Sequence, residues 1–527
     1  MINKIIFIFL IFFFYNKILI KFKNSNSKRI EYNYDFLNTS FEDLENSKKV
    51  LLTKKYLMRN KKYYDENSKN YHTFGWLHAA KKIGGANFVK IAKNQIINWT
   101  NNNYSSVSYV WEETFISKRL INLIYNYDFY AVSSNKNEKK IFKNLILKHF
   151  LLLNLRRQIS KNISDISIES SKALLLFSLI NKLKYSHFIN LIKEQINNNV
   201  NEDGFHKSIN PSLQAEYINH LYEIKNMCLF FKIEKIDVIE FQILNMCSLL
   251  KNLFHKDSTI ALFNGSNNIN ATSISKINEI YKDVKRKELK KITNGLAVYD
   301  NEKFKVFFDI TKPTNKLLNQ NLHAGTLSIE MSYDKEKIIT NCGSIETRVG
   351  KKPEFLRFSA AHSTIIINNT NISELVEKKS YKRIPKKIIY NYQEGENYQI
   401  YEATHDGYRD NFNSIVKRRI ILSKNKIELK GEDTILLTKL NNNKRIYNIR
   451  FHLTPGCSCL MTNDKKTVII KTISQKSWIF KSESKLTLED SIYINDGRRI
   501  NKTKQIVLSG ACSVAKKTEY WSISKAE

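Results

Sequence analysis

Cysteine is thin in this chain. The six present, Cys228, Cys247, Cys342, Cys457, Cys459 and Cys512, show no disulfide-framework spacing. Cys457-x-Cys459 stands without a second metal-type pair, and free cysteines are commonly buried. No repeat of fixed period runs through the sequence, which argues against a propeller. Helix-turn-helix, RNA-binding sheet and zinc-finger patterns are absent too. A formal charge of +35 would ordinarily suggest an anionic partner. Here the lysines are scattered, with asparagine and isoleucine, through loops and elements alike. Nucleic acid is therefore not the expected partner, while an acidic polymer is compatible with the charge.

Long apolar runs are missing with one exception. IIFIFLIFFFY, Ile5–Tyr15, follows a basic start. It is shorter than the roughly twenty residues of a comfortable membrane span, and no small-residue cleavage site follows it. Three readings stay open: a secretory signal, an uncleaved anchor giving membrane association through residues 5–20, and a buried first helix. Export would place the protein in the periplasm or cell envelope; the third reading leaves it in the cytoplasm. At 527 residues the chain is too long for one ordinary core, so two domains are expected.

The two halves differ in period. From Phe74 apolar residues fall at helical spacing, as in Phe88, Ile91, Ala92, Ile96 and Trp99, with Gly84-Gly85 as a break. Trp111, Arg119, Leu120 and Ile121 belong to a further amphipathic helix. Similar stretches follow as far as IDVIEFQILNMCSLLKNLF. After Gly295 short β-branched and aromatic runs such as FKVFFDIT, IVKRRIILS and TVIIKTIS recur at about ten-residue spacing, the pattern of an antiparallel β-sandwich. The expected division is a leader-like segment over 1–30, a helical domain over 31–285 and a strand domain over 290–527.

Where the period changes, His323 opens the strand LSIEM, KIITN ends on Cys342-Gly343, and Ala361-His362-Ser363-Thr364 opens TIIIN. Two histidines at the mouths of neighbouring strands can converge on one site, or can be ordinary strand-end histidines bonded to backbone. The pattern H-A-x-x-L-S-I-E, then N-C-G, then A-H-S-T resembles the C-terminal domain of the heparinase II/III family. The resemblance implies an incomplete α/α toroid followed by an antiparallel β-sandwich. It also implies a polysaccharide lyase acting on uronate-containing chains, with no cofactor required and an acidic polysaccharide or oligosaccharide as partner.

Such lyases need a base for the C5 proton, an acid for the leaving oxygen and a group to neutralise the carboxylate. In the resembled family these groups come from three places. An Asn-His pair opens one toroid helix; here the corresponding stretch is Ser164-Asp165-Ile166-Ser167. A tyrosine motif is kept in frame as Asp203-Gly204, His206 and Pro211, with Asn210 before the proline. In it Ser208 replaces a glutamate, Leu213 replaces the tyrosine, and Tyr217 lies one turn on. In the sandwich motif Asn321 stands at the first histidine, His323 at the second and Gly325 at an aspartate. The expected catalytic set is His206, Tyr217, Asn321 and His323, with Arg119, Asn210, Tyr408 and Arg419 toward substrate and His452 as a further cleft candidate. The family's structural zinc positions hold His323, Asn341 and His362. A silent glycan-binding or envelope-assembly protein on the same scaffold is the rival expectation. The sequence leaves the oligomeric state open.

Overall fold

A computed structural model of the chain describes residues 69–103, 108–160, 166–234, 236–268, 271–289, 291–312, 322–345, 354–376, 380–439 and 443–526. The apolar run at 5–20, Ser164-Asp165 and Asn321 lie outside the described residues. Among those described, no helix is long and apolar enough to cross a membrane.

The helical half is built of hairpins: α1 (Trp76–Ile83), α2 (Ala86–Asn102), α3 (Glu113–Tyr125), α4 (Lys136–Ile159), α5 (Ile168–Ile180), α6 (Ser186–Asn199), α7 (Pro211–Phe230) and α8 (Asp237–Leu250). Gly84 and Gly85 take positive φ and separate α1 from α2, as the break in the pattern anticipated. The odd-numbered helices pack side by side as an inner row, with the even-numbered ones outside them. In α5 every residue but Glu169 is buried, so the helix is covered on all sides and cannot show an apolar stripe. Asn135 and Glu138 close a reciprocal capping box on α4, a device contributing about 1 kcal/mol.

The strand half comprises two large antiparallel sheets. One runs in the order 292–293, 296–300, 304–309, 329–333, 336–340, 445–453, 501–512 and 486–493, with 365–367 also paired to 445–453. The other runs 458–461, 467–471, 477–482, 516–525, 428–437, 414–423, 398–408 and 388–394. Their inner faces share one apolar core that includes Phe308, Ile329, Val416, Ile420, Phe451 and Trp521. Gly431 is required there: a Cβ would lie 2.0 Å from the Trp521 ring. Helix thus gives way to sheet between Ile280 and Ile292, and the architecture is a toroid-like helical domain followed by a β-sandwich.

The halves are joined through Glu330, which is fully buried on the strand Ile329–Tyr333. Its Oε2 accepts from His255 Nε2 at 2.8 Å and from the Leu262 amide at 2.9 Å, both in the segment that leaves the helices. Its Oε1 accepts from the Asn341 amide at 2.8 Å and Thr340 Oγ1 at 3.1 Å. Burial alone would raise this carboxyl, but Lys337 and the His255 bond pull it to about 2. Glu330→Gln removes a buried carboxylate that faces Lys337 and His255 and is expected to cost roughly 3–5 kcal/mol in denaturant unfolding. A loss below about 1 kcal/mol, the scale of an exposed pair, would show that the joint does not depend on this charge.

Candidate functional site

Two groups of side chains stand near the junction, one from each half. In the helical half, the chain 199–210 turns back on itself before α7. There His206 forms a bridge with Val200, and its own amide donates to Gln214 Oε1 at 2.7 Å. Its ring is 3 % exposed. Nδ1 accepts from the Ser208 amide at 3.2 Å and lies 2.8 Å from Ser208 Oγ, so Nε2 carries the proton of the neutral ring. Burial pushes His206 down to about 4. Tyr217 packs on this ring with centroids 5.2 Å apart, and burial raises its phenol well above the usual value. Ser208, where the resembled motif has glutamate, therefore holds His206 in place.

Asn210 caps α7: its Oδ1 accepts from the Leu213 amide at 3.0 Å and its Nδ2 donates to Asn264 O at 2.8 Å. The same turn receives Ser212, whose Oγ is 2.7 Å from Ser266 Oγ, and Ser344, whose Oγ donates to Gly265 O at 2.5 Å. Residues 264–267 thus tie the start of α7 to the loop after Cys342, and the mouth of α7 faces the sandwich.

In the sandwich, His323 and His362 face each other edge to face. Nδ1 of His323 is 3.2 Å from Nε2 of His362, whose own Nδ1 donates to Phe358 O at 2.9 Å. That fixes Nε2 of His362 as the acceptor and Nδ1 of His323 as the donor. Burial lowers His362 to about 4. Gly325 is the residue that makes room, since a Cβ there would sit 2.6 Å from the His362 ring. Asn341 Oδ1 accepts from the Ser363 amide at 3.0 Å, and its buried Nδ2 has no hydrogen-bond partner among the described residues.

This donor set does not fit a closed zinc site. Such a site takes four N, O or S ligands. Here only two imidazoles face each other, and the third position is a neutral amide whose oxygen is already taken by the Ser363 amide, leaving a hydrogen-bearing nitrogen. Among the described residues no group of three His, Cys, Asp or Glu side chains is placed to hold a metal.

The other residues singled out in the sequence lie elsewhere. Arg119 is fully buried in the helical core, stacked over Trp99 and Trp111. It donates to His149 Nε2 at 2.6 Å, His72 O at 2.5 Å and Val110 O at 2.9 Å, which leaves no surface toward a ligand. Tyr408 is buried in the sandwich, donating to Thr370 O at 3.0 Å. Arg419 is on the outer face, paired with Glu432 at 3.0 Å. His452 donates from Nε2 to Ala360 O at 3.0 Å and accepts from Ser491 Oγ at 2.7 Å, with Cys342 Sγ 3.6 Å away.

Three supporting residues were not recognised in the sequence. Arg418, one residue from Arg419, points inward. It grips Asp433 with two bonds, at 2.7 and 2.9 Å, and donates to Leu327 O and Ser363 O, both at 2.8 Å. It so holds the two loops that carry His323 and His362, and strict period-two alternation along IVKRRIILS was the signal for it. Glu113 caps the start of α5, its Oε1 accepting from the Ser167 amide at 2.8 Å, Ser167 Oγ at 2.9 Å and Ser170 Oγ at 2.5 Å. Asp309, buried beneath the 326–328 loop, is raised to about 7 by burial, against the bonds from Thr311.

Residues 290–522 match the profile of the family described as Heparinase II/III-like, C-terminal. The strand domain is a heparinase II/III-like C-terminal domain. No curated protein matches the chain. Among solved structures the chain is similar to a heparinase III (13 % identity, TM-score 0.69, covering 93 % of this chain and 88 % of that one). It is also similar to the heparan sulfate lyase HepC from Pedobacter heparinus (13 % identity, TM-score 0.59, 94 % and 88 %). At that identity the likeness to these solved structures is one of fold. It extends through the helical half, so the heparinase II/III-like domain sits on the same toroid-plus-sandwich framework.

Two measurements follow from the site's electrostatics. His206, His255 and His362 are each lowered from 6.5 to about 4, and His405 and His452 to about 3, all by burial first. Their folded values lie below the unfolded one, so the stability they contribute is complete above about pH 6.5 and falls as pH drops toward 4, by up to ~3 kcal/mol per ring. Asp309 runs the other way, one group against five. Unfolding free energy measured across this range is expected to drop steeply on acidification; a flat profile would contradict the buried neutral rings. Zinc or a chelator is expected to leave the unfolding midpoint unmoved. Asn341→Asp, which supplies a carboxylate oxygen in place of the amide nitrogen, is expected to make it zinc-dependent; zinc dependence in the unaltered chain would overturn the donor-set argument.

Proposed function

We propose that this chain is a polysaccharide lyase of the heparinase II/III type, acting by β-elimination on a uronate-containing acidic glycan held between the toroid and the sandwich. The observation that carries the reading is the contact of His206 with Tyr217 beside the mouth of α7. At neutral pH the lowered His206 is unprotonated and the raised Tyr217 is protonated. A base and an acid are then adjacent in the protonation states that elimination requires. His206 takes the proton alpha to the carboxylate on Nδ1, giving up its bond from the Ser208 amide to do so, and the Tyr217 phenol donates to the departing oxygen. The carboxylate is assigned to Asn321, with His323, held by His362, as the further candidate from the sandwich. Elimination of this kind needs no cofactor. The similar structures named as a heparinase III and a heparan sulfate lyase support the substrate class, and the positive charge favours an acidic polymer over a neutral one. Nucleic acid is not a partner on this reading, and the periplasm or cell envelope is where such a polymer is met.

A second reading, a silent glycan-binding or envelope-assembly protein, is favoured by one specific arrangement. The N-terminus of α5, a natural place for a substrate anion, is already filled by the Glu113 carboxylate. Leu213 in place of the motif tyrosine points the same way.

The test is ultraviolet absorbance of the unsaturated product when the full chain meets a panel of uronate polysaccharides. On the lyase reading absorbance rises, and His206→Ala or Tyr217→Phe lowers the rate by about 100-fold or more. Cleavage that survives alanine at His206, Tyr217 and Asn321 together would refute the assignment. Saturable binding with no absorbance change would establish the silent binder.

A further inference from the structure

A second concavity lies at the other end of the strand Arg445–Leu453. Seven residues separate Arg445 from His452 along it, roughly 23 Å at strand rise, so the concavity is distinct from the histidine cluster. It encloses about 540 Å³ and is lined by Asn368, Asn411, Phe412, Asn413, Asn443, Lys444 and Arg445. Its floor is rigid. The Arg445 guanidinium, 2 % exposed, donates to Phe412 O at 3.1 Å and also to Asn443 O. Asn368 is fixed by accepting from the Ile446 amide at 2.8 Å. Its rim is unspent: the side chains of Asn411, Asn413 and Lys444 make no hydrogen bond or ion pair among the described residues, and no carboxylate lines the wall.

We propose that this concavity is an acidic-oligosaccharide binding site, separate from the site between the domains. The chemistry of the lining selects the ligand. The amides of Asn411 and Asn413 each offer a donor pair and an acceptor, which suits the hydroxyls of a sugar. Lys444 and the fixed Arg445 supply positive charge for a carboxylate or sulfate with no neighbouring carboxylate to compete. Phe412, half-buried, gives an apolar patch for the sugar's C–H face. A single ring, tied into the sandwich core and beside Tyr408, does not provide the stacking platform that nucleic-acid bases use. The site does not rest on cleavage elsewhere in the molecule, and it would hold a polymer chain whether the protein cuts it or only binds it.

Amine acylation of the full chain, read residue by residue by mass spectrometry, tests this. The probes are a uronate-containing sulfated tetrasaccharide, a neutral tetrasaccharide and a single-stranded oligonucleotide. Lys465, exposed on a turn of the second sheet, is the control. The sulfated tetrasaccharide is expected to slow acylation of Lys444 about tenfold while Lys465 is unchanged. The neutral sugar gives little protection. Asn411→Ala, an exposed change that leaves the fold and any lyase activity intact, weakens the protecting affinity about tenfold. Equal labelling of Lys444 with and without the sulfated sugar overturns the proposal. So does equal protection by the oligonucleotide, which would reduce the concavity to a patch of charge.

Discussion

One buried carboxylate fixes how the two halves of this protein meet. Glu330 receives bonds from both sides of the junction, His255 and Leu262 from the departing helical chain and Asn341 and Thr340 from the sheet. A charge in that place is tolerable only because four donors and Lys337 surround it; with any of them displaced the cost of desolvation would no longer be offset. His255 is itself pushed down to about 4, mainly by burial. The contact at neutral pH is therefore a neutral imidazole donating to a carboxylate. Because Asn341 is anchored through the same residue, the geometry of the junction and that of the histidine pair are set together.

The two groups of side chains near the junction are inward-looking. His206, Tyr217, His323 and His362 are nearly all covered. Each histidine tautomer is dictated by a neighbour: Ser208 for His206, Phe358 O for His362, and His362 in turn for His323. Arg418 and Asp433 then pin the loops from the opposite sheet. This is the kind of support a proton-transfer site requires. It is built here on residues that differ from the resembled motifs at several positions, and Ser208 and Gly325 show the scaffold accommodating them.

Much of the framework was legible in the sequence. The change of apolar period from helical to alternating marks the switch of domain, Gly84-Gly85 marks the first hairpin, and the phrases around His323, Asn341 and His362 mark the sheet that resembles the heparinase II/III family. Individual roles were far less legible. Arg119 was expected toward substrate and is instead the buried centre of an aromatic knot. Arg418 and Arg419 are indistinguishable by type, yet one ties the site loops and the other pairs with Glu432 on the outer face. Asn210 reads as a ligand group and serves as a cap.

The sequence by itself determined periods, breaks and the order of elements, because local backbone preference and the alternation of apolar residues act over a few positions. Which donors meet which acceptors was decided only in the tertiary structure. The bonds at Glu330 and Arg418 span separations of ten to over ninety residues, and no local rule specifies a partner at that range. The pairing of His323 with His362 belongs to the same class: two residues thirty-nine apart are brought within 3.2 Å by a sheet register and a glycine that leaves room for the ring.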